Sequence, residues 1–269
     1  MDIIEAIKQK YYKEGKSQQQ IADELGISQW MVSDRMRKAR LKTKPKTWKL
    51  GQRKYELNEA AFDKITPHAA WVLGWLVSDG FVSKSSNSFG VKVSPKDVDA
   101  LEKIKSFFSY SGPILKGRSR LKATGKTYGH RLLKITSPKL KQTLLSLGVS
   151  PSKTSHETYL PTVEGEALDR QFIKGVFEGD GSLLYYPKTN RFKFQVVGTS
   201  ELLHEIQDRL VKYLGIGKTK IHCQNSVSNH HLMQYSGKHQ VPKIARWIYQ
   251  DSIWHLDRKH NTYKRMTEL

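Results

Sequence analysis

The sequence is poor in cysteine, long apolar runs and acidic residues. Cys223 is the only cysteine in 269 residues, which excludes a disulfide framework and a thiolate zinc site within this sequence. The longest apolar run, Ala69 to Val77, is too short to span a bilayer. The opening residues, Met1 to Glu5, lack the basic and apolar regions of a signal peptide. We therefore expect an intracellular protein in a reducing compartment, not a secreted one.

The shortage of acidic residues gives the chain a strong positive charge. Lysine and arginine total 46 against 25 aspartates and glutamates, a formal net charge of +21. Such a charge calls for a polyanionic partner. A membrane surface is the other candidate polyanion, but no long amphipathic basic helix of the type that lies on lipid is evident. Nucleic acid is therefore the expected partner.

Two short stretches of the chain repeat one pattern. Val72–Gly80 reads VLGWLVSDG and Ile173–Gly181 reads IKGVFEGDG. Each is a helix-like run with glycine at its third position and Asp-Gly at its end. The two aspartates, Asp79 and Asp180, are 101 residues apart. This spacing indicates one structural unit used twice, with the copies meeting at these stretches.

A pair of helix ends of this kind has the chemistry of a cation site. The last carbonyls of a helix lack intrahelical partners, and that end carries the negative pole of the helix dipole. Gly74 and Gly175 would let the two helices approach closely, which brings Asp79 and Asp180 together. Hard oxygen ligands with excess negative charge suit Mg²⁺. The alternative interpretation is that each Asp-Gly is an ordinary helix C-cap.

Both stretches resemble the LAGLIDADG motif of homing endonucleases, in the single-chain form that carries two copies. The match is loose at the apolar positions and complete at the third-position glycine and the final Asp-Gly. Position six, acidic in the family pattern, is Val77 in the first copy and Glu178 in the second. The resemblance covers roughly residues 66 to 260. It implies an α+β fold in which helix-strand-strand-helix-strand-strand-helix occurs twice about a pseudo-twofold axis.

The resemblance also implies an activity and its site. Mg²⁺ would be held by Asp79 and Asp180 with backbone oxygens of Ser78 and Gly179, with one active site for each DNA strand. Ca²⁺ is expected to support binding without cleavage. The implied reaction is hydrolysis of both strands across the minor groove of a long target, leaving short 3′ overhangs.

A second pair of residues is assigned a catalytic role through the same resemblance. The segment Leu132–Ile135 resembles the strand that carries a lysine beside the scissile phosphate in the family. Lys134 is the candidate, and its counterpart in the second copy is Gln234, because His130-Arg-Leu132 and His230-His-Leu232 are in step with the two aspartates.

The first 41 residues predict a separate DNA-binding domain. Helical spacing predicts a helix over residues 2 to 14, Ser17 caps a second helix over Gln18–Leu25, and Ser28 caps a third that runs to about Arg40. The string from Gln20 to Ser28 resembles a helix-turn-helix. The third helix would then present base-edge and phosphate contacts to DNA. The base-edge candidates are Gln29, Trp30, Ser33 and Asp34, and the phosphate candidates are Arg35, Arg37, Lys38 and Arg40. A three-helix protein-docking module is the alternative.

Residues 42–57 are predicted to form a basic linker, followed by a first half at 58–159 and a second half with a C-terminal tail at 160–269. A short helix is expected around Asn58 to Ile65. Thr66 and Pro67 then provide the N-cap and first position of the first motif helix.

Alternating sequence patterns after each motif helix predict strands with one apolar face and one basic face. The polar face would form a concave surface for phosphates and base edges. Its predicted members are Lys92, Lys116, Arg118, Arg120, Lys122, Arg191, Lys193, Gln195, Lys218, Lys220, His222 and Gln224. An ordinary solvated sheet face is the alternative.

Together these patterns predict a monomeric homing endonuclease that cuts a long asymmetric site in double-stranded DNA. Two other functions remain open for the same fold: a non-cleaving transcription regulator and an intron RNA maturase. A structural nucleoid protein would need neither aspartate and would show no site preference.

Overall fold

The computed structural model describes residues 2–42, 53–120, 125–151, 157–189, 191–225 and 229–267. The predicted DNA contact Lys122 and residues 43–52 of the predicted linker lie outside these ranges. The chain forms two compact units, Met1–Lys54 and Tyr55–Leu269. No helix in the described ranges is both long and apolar enough to cross a membrane.

The N-terminal unit is built from three helices. They are α1 (Ile3–Lys8, continued by a π-helical turn over Gln9–Lys13), α2 (Gln18–Leu25) and α3 (Gln29–Lys38). Ser17 begins α2 with a capping box, in which its side chain accepts from the Gln20 amide while its own amide donates to the Gln20 side chain. Gly26 ends α2 at φ 65°, a left-handed turn that glycine adopts cheaply.

The core of this unit confirms the helix-turn-helix packing pattern. Ile21, Val32 and Met36 are buried together with Ile7 and Tyr11 of the first helix. Further members are Ala22, which is fully buried, and the partly buried Leu25 and Ile27.

The larger unit contains the predicted helix-strand order twice, which confirms the α+β fold class. The first repeat consists of α4 (Pro67–Ser78), β1 (Gly80–Val82), β2 (Ser88–Val93), α5 (Val98–Phe107), β3 (Leu115–Arg120), β4 (Thr127–Thr136) and α6 (Pro138–Ser146). The second consists of α7 (Glu166–Asp180), β5 (Gly181–Tyr186), β6 (Arg191–Gly198), α8 (Ser200–Leu214), β7 (Ile221–Asn225), β8 (His230–Ser236) and α9 (Gln240–Tyr249). The expected C-terminal tail is a helix, α10 (Asp257–Thr267).

The helix expected around Asn58 to Ile65 is wrong, because this segment forms turns. The Asn58 side chain accepts from the amide of Ala60, two residues on, and this local bond competes with helix formation. The predicted start of α4 is confirmed, since the Thr66 side chain accepts from the Ala69 amide at 3.2 Å and Pro67 follows it.

Each repeat folds into a four-stranded antiparallel sheet with the same strand order. The orders are β1-β2-β4-β3 and β5-β6-β8-β7. Gly80 pairs with Val91, which pairs with Leu133; in the second sheet Gly181 pairs with Val196, which pairs with Met233. One position further, Lys134 and Gln234 occupy equivalent places in the two sheets, as the spacing predicted.

Helices α4 and α7 lie at the centre of this unit. Every residue of α4 from Ala69 to Ser78 is buried, including the core tryptophans Trp71 and Trp75. A helix that is apolar all round must be covered all round. Here α4 is in contact with α7 and with strands of its own sheet.

Candidate active site and nucleic-acid interface

The two motif helices cross with their backbones in contact. A Cβ placed on Gly74 would lie 2.8 Å from the Gly175 Cα, and one placed on Gly175 would lie 3.0 Å from the Gly74 Cα. Both would also overlap backbone carbonyl oxygens, those of Phe172 and Trp71. Backbone cannot move aside as a flexible side chain can, so both positions require glycine. The predicted purpose of the third-position glycines is therefore visible in the structure.

The same crossing brings the C-terminal ends of α4 and α7 together. A Cβ on Gly179 would lie 2.7 Å from the Ser78 Cβ and 3.6 Å from the Asp79 amide nitrogen. Asp79 is the C-cap of α4 and Asp180 is the last residue of α7; both are half-buried. All four residues predicted at the metal site thus lie at one end of the helix pair.

In the first half, two lysines share a cleft with the aspartate. The cleft has a volume of about 710 Å³ and is lined by Asp79, Lys92 and Lys134, with serines of the β1–β2 hairpin at its rim. Lys92 and Lys134 are exposed on β2 and β4. The Lys92 amide also donates to the backbone carbonyl of Asp79 at 3.3 Å, which fixes the start of β1 against β2. The cleft therefore combines one carboxylate with two exposed positive charges.

In the second half, the equivalent surface carries a row of amides. Ser182 Oγ donates to Gln195 Oε1 at 3.0 Å, and Gln195 Nε2 donates to Gln234 Oε1 at 2.7 Å. Gln234 Nε2 then donates to Ser236 Oγ at 3.3 Å. Gln195 was predicted as a DNA contact and Gln234 as a catalytic residue; the structure joins them in one network.

A group of buried charges lies behind the second motif end. Glu178 is 1% exposed, and its Oε2 accepts from Trp71 Nε1 at 2.7 Å. Lys174, one helical turn earlier, is fully buried and donates to Ser252 Oγ at 3.0 Å. Burial raises the pKa of Glu178 and lowers the pKa of Lys174 to about 8, while each charge partly offsets the effect on the other. The four-residue spacing of Lys174 and Glu178 on an apolar helix was the available sequence signal for this pair.

The polar face of the second sheet agrees with the predicted pattern. Side chains directly opposite each other in an antiparallel pair lie on the same face. Because Gln195 pairs with Gln234, and Lys193 with Ser236, the alternating residues Arg191, Lys193 and Gln195 share one face with Gln234. His222, opposite Leu232, lies on that face as well.

The first sheet divides its basic residues between two faces, which corrects the prediction. Lys92 pairs with Leu132, and Leu132 pairs with Leu115. Lys116 is one residue further along β3 and therefore lies on the opposite face. The other predicted members of that strand alternate with it, namely Arg118 and Arg120. These three exposed cations do not share the cleft surface of Lys92 and Lys134.

Three members of the predicted β7 surface are also placed differently. Lys218 and Lys220 precede β7, and Lys218 Nζ pairs with Asp208 Oδ1 of α8 at 2.5 Å. Gln224 falls at an irregularity between Cys223 and Asn225, where the pairing with β8 shifts. Because a bulge changes the direction in which a side chain points, the alternating sequence pattern did not determine the face of Gln224.

Helix α3 of the N-terminal unit exposes most of its predicted contacts. Gln29 and Ser33 are exposed, and Trp30 is 72% exposed at the start of the helix. Gln29, Trp30 and Ser33 are therefore available for contact with a partner.

The charged residues of α3 form ion pairs around Asp34. Its carboxylate pairs with Arg37 at 2.5 Å and with Lys38 at 2.9 Å, and hydrogen bonds from Lys38 and Arg37 lower the pKa of Asp34. Asp34 was predicted to face base edges, and this pairing explains an acidic residue on a basic helix. Arg35, predicted as a phosphate contact, is half-buried, and its Nη1 is enclosed without a hydrogen-bond partner among the described residues.

The donor set at the motif ends fits a hard divalent cation. Within the described ranges, no three or more His, Cys, Asp or Glu side chains gather as a metal cluster. The site offers two carboxylates and backbone oxygens, a sparse set of hard ligands. Mg²⁺ characteristically binds one or two carboxylates and keeps its remaining positions for water and phosphate oxygens. Glycine at position 179 is required because a Cβ there would overlap the Ser78 side chain, and this close approach brings the two motif ends together.

Comparison with known proteins gives one family match and several structural likenesses. Residues 5–44 match the family model described as Sigma-70, region 4. A search of curated proteins finds no match. The homing endonuclease I-SmaMI, solved on uncleaved DNA in the presence of calcium ions, is 18% identical with a TM-score of 0.46, over 76% of this chain and 90% of that chain.

Two further solved structures are similar over comparable lengths. Variants of the homing endonuclease I-DmoI are 12% identical with a TM-score of 0.47, over 74% of this chain and 97% of theirs. Full-length DUF199/WhiA from Thermatoga maritima is 14% identical with a TM-score of 0.48, over 78% of this chain and 64% of its own. These are likenesses of fold only. The glycine-crossed motif helices and the twice-repeated element order agree with the fold that the LAGLIDADG resemblance implies, and the N-terminal helix-turn-helix unit matches Sigma-70 region 4.

Proposed function

We propose that this protein is a divalent-metal-dependent endodeoxyribonuclease of the homing type, which cuts both strands of a long asymmetric DNA target. The observation that carries the proposal is the meeting of the α4 and α7 ends, which gathers Ser78, Asp79, Gly179 and Asp180. A pair of ordinary C-caps would not need two helices in backbone contact immediately before them.

The proposed chemistry divides between the metal and the chain. Bound Mg²⁺ would supply an activated water and stabilise the charge on the leaving oxygen. The carboxylates of Asp79 and Asp180, with backbone oxygens of Ser78 and Gly179, would hold it. Lys134 and Lys92 place positive charge beside the phosphate of one strand, where negative charge grows during hydrolysis. Gln234, oriented by Gln195, offers only neutral hydrogen bonds to the phosphate of the other strand.

The DNA interface is proposed on charge and on exposed side chains. The second sheet presents Arg191, Lys193 and His222 beside its amide row, and α3 presents Gln29 and Trp30. Joining two binding units in one chain raises affinity, because the second contact is made at a high effective concentration. We extend to this chain the DNA binding of neighbours solved on DNA, and propose that one intracellular monomer acts on each target.

Two other functions would use the same surfaces without hydrolysis. A DNA-binding regulator and an intron RNA maturase both need the basic faces, but neither needs a carboxylate beside two lysines in one cleft. The cleft of Asp79, Lys92 and Lys134 is the observation that favours cleavage over both.

The test combines target selection with an active-site variant. DNA bound by the protein is selected from a randomised library with Ca²⁺, cloned into plasmids, and then incubated with Mg²⁺. The variant Asp79→Asn/Asp180→Asn removes the carboxylates, and Asp63→Asn, an exposed carboxylate in the turn before α4, is the matched control.

We expect double-strand cuts at the selected site with the wild type and the control, and uncut but bound plasmid with the double variant. Site-specific binding without cutting under any divalent metal would support a regulator. Displacement of the DNA by structured intron RNA would support a maturase.

A further inference from the structure

The C-terminal helix α10 begins by binding the first repeat. Lys103 of α5 donates to Asp257 Oδ1 at 2.7 Å, and the Asp257 amide donates to Asp99 Oδ2 at 3.0 Å. Arg258 donates to both carboxylate oxygens of Asp97, at 2.9 Å and 3.2 Å. A two-point arginine–carboxylate pair fixes direction as well as distance. The first turn of α10 is thereby anchored to the first half.

The next residue, Lys259, binds the second half instead. Its side chain is buried at 4% exposure, and its Nζ lies 5.0 Å from the centre of the Phe177 ring. The Nζ donates to three backbone carbonyls at the end of α7, those of Phe177 at 2.7 Å, Glu178 at 2.8 Å and Gly181 at 2.5 Å. Burial lowers the pKa of Lys259 to about 8, and the nearby Glu178 charge opposes that effect.

These three carbonyls lie on either side of Gly179 and Asp180. The last carbonyls of a helix lack intrahelical partners, and an unpaired buried carbonyl is costly. The Phe177 carbonyl also accepts from the Gly181 amide. One ammonium group joins all three carbonyls and so fixes the backbone both before and after the second metal-binding pair.

We propose that Lys259 is a positioning residue for the second metal-binding half, which holds the Gly179–Asp180 backbone in its ligating geometry because α10 is clamped across both repeats. The proposal rests on the proposed function for its catalytic consequence. Helix α10 would then control the cutting of one of the two DNA strands, and Lys259 itself would not touch the substrate.

A simple charge effect makes the opposite prediction. If Lys259 acted only as a positive charge near Asp180, its removal would strengthen the binding of a cation. If it acts by holding the backbone, its removal weakens cation binding, as losses of supporting groups around metal ligands do. The sign of the change therefore separates the two roles.

The first experiment measures metal binding without DNA. Tb³⁺, a hard cation that prefers oxygen ligands, is titrated into the free protein and followed by luminescence excited through tryptophan. The variant is Lys259→Met, which keeps the chain length and removes the donor. Lys264→Met, at an exposed position of the same helix, is the matched control, and Asp79→Asn/Asp180→Asn gives the baseline without the site.

We expect the Asp-dependent Tb³⁺ affinity to fall roughly 10-fold in Lys259→Met, and to stay at the wild-type value in Lys264→Met. An unchanged or higher affinity in Lys259→Met overturns the proposal. This measurement stands even if the protein cuts no DNA, so a failure of the proposed nuclease function is recognised separately.

The second experiment follows each DNA strand with its own end label at the selected target. In Lys259→Met, the strand assigned to the second half should be cut roughly 10- to 100-fold more slowly, while the other strand keeps its rate and nicked DNA accumulates. The second-half strand is identified as the one that Lys134→Met leaves unaffected. Equal slowing of both strands would show a general structural role and would overturn the proposal.

Arg258→Ala covers the case in which Lys259→Met does not fold. Arg258 is half exposed on its side chain, and its loss loosens the clamp to Asp97 while leaving Lys259 in place. The same direction of change, at smaller size, is expected in Tb³⁺ affinity and in the ratio of strand rates. Wild-type values for both would then overturn the proposal.

Discussion

The two halves of the larger unit have the same backbone arrangement but differ in the chemistry of one row of side chains across each sheet. In the first half, this row runs across the sheet from Phe81 through Gly90 to Lys134. A Cβ placed on Gly90 would lie 3.1 Å from the Phe81 ring. In the second half, the same three places hold Ser182, Gln195 and Gln234, joined by hydrogen bonds. The strand register is thus the same in the two sheets, whereas the charge of the side chains at these three positions differs. Under the proposed function, the two DNA strands would meet different catalytic surroundings.

The helices beneath these rows show the same contrast. Position six of the first motif is Val77, inside a helix that is covered by apolar contacts. Position six of the second is Glu178, buried with Lys174 and close to Lys259. A buried ion pair is weak evidence of added stability, because the cost of removing both charges from water can exceed their attraction. Helix α4 is therefore covered by apolar packing, whereas α7 also carries a buried charge network that includes Lys259 of α10.

Disrupting the crossing of α4 and α7 should give the largest effect on stability. In Gly175→Ala, the new methyl group would overlap the backbone of Trp71 and Gly74, so the helices must separate. We expect a loss of about 3 kcal/mol in the free energy of unfolding, measured by urea denaturation. Gly217→Ala is the control, because nothing lies within 4 Å of its Cβ position. Equal stability of the two variants would contradict the backbone-to-backbone crossing.

Removing Lys134 from the first half should change the ratio of the two strand rates. Lys134→Met takes one positive charge out of the cleft of Asp79, and we expect a loss on the order of 10²-fold in cutting one strand. Strand-specific labels at the selected target measure it. Lys116→Met, an exposed lysine on the opposite face of the same sheet, should leave the ratio of strand rates unchanged. A shift of that ratio in Lys116→Met as large as in Lys134→Met would show that sheet face does not matter.

Giving the second half the lysine of the first should reduce the contrast. Gln234→Lys breaks the bond from Gln195 and places a cation at the position equivalent to Lys134. We expect the slower strand to be cut faster, by up to about 10-fold. Gln195→Lys, on the neighbouring strand, tests whether any cation on that face suffices. If Gln234→Lys slows the second strand, the amide row is itself the better catalytic arrangement.

The sequence predicted what depends on short-range pattern. Short motifs predicted the caps at Ser17 and Thr66. The repetition of one short motif predicted the crossing at Gly74 and Gly175 and the repeated element order. It did not predict the face of Lys116, because a one-residue difference in register moves a side chain to the other side of a sheet.

Sequence patterns did not predict contacts between residues that are far apart in the chain. Lys259 meets carbonyls about 80 residues earlier, and Arg258 meets Asp97 across an even longer separation. Neither residue stands in a motif, and both look like ordinary charges on an amphipathic helix. The failed helix at Asn58 has a different cause, since a single side-chain bond to the backbone outweighed weak helical spacing.

The smallest expected effect is a loss of stability in acid, caused by His255 in the segment that leads into α10. His255 precedes α10, and its ring centre lies 3.8 Å from that of His260. Burial, then the charges of His260 and Lys103, lower the pKa of His255 to about 4 from its ordinary 6.5. Between these values the unfolded chain binds a proton that the folded chain does not. Stability should therefore fall as the pH is lowered through this range.

The expected loss between about pH 7 and pH 5 is roughly 1 kcal/mol, reduced from the full linkage value because the side chain is 26% exposed. Urea unfolding at the two pH values measures it, and His255→Asn should flatten the dependence. His222→Asn, an exposed histidine on β7, should keep the wild-type slope. If His255→Asn keeps the wild-type slope too, acid acts elsewhere in the fold.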